Sequence, residues 1–90
     1  MKTAKQLERY FKGVANHRRV EILLLVSKVP NICLEDIAKK INSEVKNVCQ
    51  HTQRLVQAGL LNKKYNGRMV GHSISPYGKK FIKFMRSFET

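Results

Sequence analysis

The chain has 90 residues, of which 18 are Lys or Arg and six are Asp or Glu, for a formal net charge of +12. That length holds one domain with a modest core, marginally stable alone and helped by pairing with a second copy. Hydrophobic residues make up 42% of the chain, which excludes disorder, and two cysteines exclude a disulfide framework.

In chain order, Lys2–Lys12 reads as a first helix, with Leu7, Tyr10, Phe11 and Val14 at helical spacing and Gly13 loosening its end. Asn16 is the N-cap of a second helix with a broad apolar face of Val20, Ile22, Leu23, Leu24 and Val26, and Pro30-Asn31 stops it. The longest apolar run, Ile22–Val26, is far short of the roughly 20 residues that a membrane span needs. No charged segment followed by an apolar one marks a leader, so a cytoplasmic chain with no membrane partner is expected.

A short third helix covers about Leu34 to Lys40, with Leu34, Ile37, Ala38 and Ile41 inward and Glu35 and Asp36 in the first turn, where the helix dipole favours anions. Asn42-Ser43 is a turn. Ser43 or Glu44 caps a fourth helix that runs to Ala58, and Gly59 ends it. Leu61–Tyr65 and Arg68–Ile74 then flank Asn66-Gly67, the preferred pair for a two-residue type I′ hairpin, with Val70, His72 and Ile74 on one face. Pro76 opens a last helix bearing Phe81, Ile82, Phe84, Met85 and Phe88. The expected fold is mainly α with a small β-hairpin, in the order α-α-α-α-β-β-α. It is a single winged helix-turn-helix domain over residues 1–90, with the helix-turn-helix at 34–58 and the wing at 60–75.

Charge is distributed as unevenly as it is balanced. From Val45 to Phe88 there is no acidic residue, while Lys46, Arg54, Lys63, Lys64, Arg68, Lys79, Lys80, Lys83 and Arg86 all fall there. A chain that needed only solubility would mix both signs; this one wants an anionic partner, nucleic acid ahead of a membrane surface.

Residues 44–58 on a helix put Val45, Val48, Thr52, Leu55 and Val56 on one side and Lys46, Asn47, Gln50, Gln53, Arg54 and Gln57 on the other. Asn and Gln pair bidentately with adenine, and Lys or Arg with guanine. Lys46, Asn47 and Gln50, near the helix start, are the expected base readers, with His51 at their margin. Gln53 and Arg54 lie further along and hold phosphate. In the wing, Lys63, Lys64, Asn66 and Arg68 suit the sugar-phosphate backbone or the minor groove. The plain alternatives are a solvated helix face and an edge hairpin that uses Lys to block aggregation.

At this point the sequence resembles the ArsR-type winged helix-turn-helix repressors, over roughly Phe11 to Ser75. Residues 11–23 are similar to the family's opening "FKALADPTRLRIL". Leu34–Ala38 is similar to its "ELA" helix, and Val48–Thr52 sits where "VSHHL" is common. Gln57–Leu61 matches "EAGLV", and Asn66-Gly67-Arg68 matches "EGR" at the wing tip. The last helix looks more like the ending of MarR-like proteins. The resemblance implies a homodimer, a two-fold symmetric DNA site and repression. It also implies that the first and last helices, residues 2–12 and 76–88, form the dimer contact, here through Leu7, Tyr10, Phe11, Phe81, Phe84, Met85 and Phe88.

Metal sensing, common among such proteins, is not expected. Glu35 stands where a second thiolate would follow Cys33, the last helix has no histidine, and zinc-like sites want about four ligands. No phosphate loop, paired carboxylates or nucleophile-base set is visible, so neither catalysis nor a cofactor is expected. The expected function is a sequence-specific double-stranded DNA-binding regulator. An architectural DNA-binding protein of low specificity and a winged-helix adaptor that docks an acidic protein remain the alternatives.

Overall fold

The computed structural model describes residues 1–89. Five helices and a three-stranded sheet follow one another as α1 (Ala4–Val14), α2 (His17–Lys28), β1 (Ile32–Cys33), α3 (Leu34–Ile41), α4 (Val45–Gln57), β2 (Leu61–Asn66), β3 (Met69–Ile74) and α5 (Pro76–Arg86). The strand order is β1-β3-β2, antiparallel throughout. This is the winged helix-turn-helix arrangement, with one strand more than the hairpin expected from sequence. β1 is only two residues long, too short to show a period. It forms because Asn31 turns the chain with a left-handed φ of 66°, which sets Ile32 and Cys33 opposite His72 and Gly71.

The helix ends follow local chemistry. Thr3 caps α1 in a capping box with Gln6, so the helix starts two residues later than expected. Asn16 caps α2 through Oδ1, which accepts from the Arg18 and Arg19 amides. Asn42 and Gly59 each take the left-handed conformation after a helix. Paired bonds follow at each: Ser43 to Ala38 and Asn42 to Lys39, then Leu60 to Leu55 and Gly59 to Val56. These are Schellman closures, and they fix the turns on both sides of α4. Glu44 is the N-cap of α4, without a side-chain cap bond.

The core is Ile22, Leu23 and Val26 of α2, Ile37, Ala38 and Ile41 of α3, Val48 and Leu55 of α4, then Leu60, Leu61 and Ile82. Val45, expected inward, is 42% exposed: it lies in the first turn of α4, beyond the reach of α2 and α3. Gly13 does not loosen α1. It is buried within the helix, and a methyl there would overlap the Ala58 side chain, so glycine lets α1 lie against the end of α4.

The hairpin turn is shifted by one residue from the expected one. Asn66 pairs with Met69, leaving Gly67 and Arg68 as the loop, and only Gly67, at φ 66°, has a positive φ. That pattern is a type II′ turn, which needs glycine at its first central position alone.

α5 is seated by Ser75, whose hydroxyl donates to the Gly59 carbonyl at 2.6 Å and accepts from the Gly78 amide at 3.0 Å. A methyl at Gly78 would run into the Leu60 carbonyl. Gly78→Ala therefore loses about 1–3 kcal/mol of stability in urea unfolding, although alanine is the better helix former by about 1 kcal/mol. Equal or greater stability would contradict this close seat.

Candidate nucleic-acid interface

Burial of Val48, Thr52 and Leu55 fixes the rotation of α4. Thr52 is satisfied by donating to the Cys49 carbonyl at 2.9 Å, so the inner face carries no unpaired polar atom. The opposite face is left to solvent. Lys46, Asn47, Gln50, Gln53 and Arg54 are all exposed, and no carboxylate interrupts them. Lys46 and Asn47 occupy the first turn, where free backbone amides add positive potential.

His51 stands apart from this group. It is half buried, and its Nδ1 accepts a hydrogen bond from Arg19 Nε of α2 at 3.3 Å. Loss of solvent and the charges of Arg19, Arg18 and His17 hold its pKa below the usual histidine value. It is a neutral anchor between α2 and α4, not part of the open row.

In the wing, Lys63 shares the inner face of the sheet with His72 and is half buried. Lys64 and Asn66 lie on the outer face and are exposed, as is Arg68 in the loop. A groove of about 240 Å³, lined by Glu35, Thr52, Lys63, Arg68 and His72 among others, separates the wing from α3 and α4. The base of the wing is packed on the helices, with Leu61 and His72 buried, and its end from Lys64 to Met69 is exposed.

Sequence reasoning missed the residues that hold this arrangement. Arg18 donates to the Ile41 carbonyl at the end of α3, at 2.7 Å. Arg19 donates to the Lys12 and Gly13 carbonyls at the end of α1, at 3.1 and 3.2 Å, besides bonding His51. Arg9 donates to the Gln57 carbonyl at the end of α4, at 3.2 Å. Each guanidinium meets the electronegative end of another helix. The partners lie 23, 6 to 7, 32 and 48 residues away in sequence, so no local pattern except the basic run at 17–19 hinted at them.

On α1, α5 and the residues just after α5, Tyr10, Phe81 and Met85 pack partly against the core, while Leu7, Phe11, Phe84 and Phe88 stay exposed. Phe11 meets Phe81, Phe81 meets Phe84 and Phe84 meets Phe88 edge-on, making one aromatic row on the surface. No helix among the described residues is long and apolar enough to cross a membrane.

No family model matches the chain. The arsenical resistance operon repressor of Escherichia coli (strain K12) is 28% identical over 67 residues, which are 74% of this chain and 57% of that protein. The chain therefore spans little more than half the length of that relative. HlyU from Vibrio cholerae N16961 superposes with a TM-score of 0.85 at 20% identity, covering 97% of this chain and 96% of HlyU. The homodimeric winged helix-turn-helix DNA-binding domain of Mb0332 from Mycobacterium bovis gives 0.83 at 23%, covering 92% of this chain and 77% of that domain. The fold is that of the winged helix-turn-helix regulators. Within that class the chain is similar to ArsR-type proteins, in sequence as in fold.

His72 supplies a pH test. It is buried, and its Nδ1–H donates to the Ile32 carbonyl at 3.2 Å, tying β1 to β3. Burial lowers its pKa first, helped by the charge of Lys63, against the Ile32 bond and Glu35, which raise it. A histidine with a lowered folded pKa takes up a proton more readily when unfolded. Its contribution is complete above the unfolded value of about 6.5 and is lost as pH falls below it. His51 acts in the same direction. Unfolding free energy therefore falls between pH 7.5 and 5.5 in urea titrations, and His72→Phe flattens that slope. An unchanged slope in the variant would remove His72 from this account.

Proposed function

We propose that the chain is a sequence-specific, double-stranded DNA-binding transcriptional regulator that acts as a homodimeric repressor in the cytoplasm. One observation carries the reading: the face of α4 that packing leaves free is a continuous amide and cation surface, with Lys46, Asn47 and Gln50 at its leading end. Such a surface suits the major groove, where Asn and Gln read adenine and Lys reads guanine. Gln53, Arg54, Lys63, Lys64, Asn66 and Arg68 contact phosphate and sugar. His51 serves by holding the helix to Arg19 rather than by touching a base.

The whole chain acts as one domain, with α1 and α5 as the dimer helices. Leu7, Phe11, Phe84 and Phe88 form the apolar contact, with Tyr10, Phe81 and Met85 behind them. The similarity to a repressor and to a homodimeric DNA-binding domain supports both parts. Neither a metal nor a cofactor enters this reading.

Variants separate the roles. Asn47→Ala or Gln50→Ala costs about 1–3 kcal/mol on a preferred duplex and little on random duplex, measured by fluorescence anisotropy. Lys64→Ala or Arg68→Ala weakens both duplexes alike and lowers the salt slope by about one. Equal loss on both duplexes from Asn47→Ala would favour the architectural reading. No binding to any duplex at moderate salt would favour the adaptor.

A further inference from the structure

A second cationic feature lies away from the reading end of α4. Where α1, α2 and the C-terminal turn of α4 meet, an open cleft of about 270 Å³ is lined by Arg9, Lys12, Arg19, Arg54 and Gln57. Three helix ends contribute to it, and helix C-termini ordinarily present electronegative carbonyls. Here those carbonyls are already taken: Arg19 covers Lys12 and Gly13, and Arg9 covers Gln57. What remains facing the cleft is guanidinium.

The donors there are not spent. Arg19 uses Nε and Nη1, leaving Nη2, and Arg9 uses only Nη2. Arg54 has no hydrogen-bond or ion-pair partner among the described residues. Lys12 pairs with Glu8 at 3.7 Å, but both side chains are largely exposed, so the pair is weakly held. His51, bonded to Arg19, has its pKa lowered first by loss of solvent and then by the charges of Arg19, Arg18 and His17.

We infer that this cleft binds a phosphate-class oxyanion, held between Arg9 and Arg19 on one side and Arg54 on the other. Guanidinium N–H groups donate strongly to phosphate oxygens, and Arg9 and Arg19 are tethered by their bonds to helix ends before any ligand arrives. A tetrahedral dianion offers three cations more oxygens and more charge than a carboxylate does. The bound anion ties α1 to α4. The inference shares Arg54 with the proposed DNA contact but does not require it, since the oxyanion is either a backbone phosphate of a duplex or a free phosphate compound.

Sodium phosphate titrated into the full chain at low ionic strength, against chloride at matched ionic strength, tests it by the NMR signals of arginine Nε–H groups. Saturable shifts at Arg9, Arg19 and Arg54 are expected with phosphate and not with chloride. Arg54→Gln weakens binding about tenfold, while Arg68→Gln, the same charge change at the wing tip, leaves it intact. Arg54 is exposed and unpartnered, so its variant folds. Shifts that never saturate, or an equal loss in Arg68→Gln, would overturn the site. A random-sequence duplex then gives the source. Displacement of bound phosphate by the duplex supports a DNA phosphate as occupant, and joint binding supports a free one. A chain that binds no duplex yet still saturates with phosphate keeps the site while the regulator reading fails.

Discussion

The arrangement depends on adjacent arginines in α2 that reach in opposite directions. Arg18 binds the end of α3 and Arg19 the end of α1, while Arg19 also holds His51 of α4. Apart from the His51 bond, each joins a cation to carbonyls at a helix end, where charge and dipole reinforce one another. Apolar packing sets the distances between these helices. The arginines add ties between their ends. α4 is held at its inner face by Val48 and Leu55, at its middle by Arg19 through His51, and at its end by Arg9.

That constraint decides which side chains are free to meet a partner. Arg9, Arg18 and Arg19 join helix ends, whereas Lys46 and Arg54 of α4 and Lys63, Lys64 and Arg68 of the wing make no side-chain hydrogen bond or ion pair among the described residues. The outer face of α4 keeps its amides, and the outer face of the wing keeps Lys64 and Asn66. A charge of +12 alone fits any polyanion. In the proposed reading, the amides on this face are what separate a reader from a sticky surface, because amides add hydrogen-bonding specificity without adding long-range attraction.

The helices were legible in the sequence because their apolar faces repeat and their caps are local. Asn16 and Gly59 act within a few residues of themselves. The hairpin was legible for the same reason, but its turn moved by one because Asn66-Gly67 and Gly67-Arg68 both suit two-residue loops, and pairing of Asn66 with Met69 chose between them. β1 was hidden because two residues carry no period. Gly13 read as a weak point because sequence shows a missing side chain and not the Ala58 methyl that occupies its space. His51 read as a margin residue because its partner, Arg19, lies 32 positions away. The positions of Lys46, Asn47 and Gln50 on the open face were legible, since they follow from helical period alone.

The most direct measurement is selection of bound sequences from a random duplex pool by the full chain at moderate salt, with the mass of the bound species read by sedimentation. The account predicts a two-fold symmetric motif whose half-sites lie about one helical turn apart, bound by two copies of the chain. Recovery of sequences no different from the starting pool would contradict it.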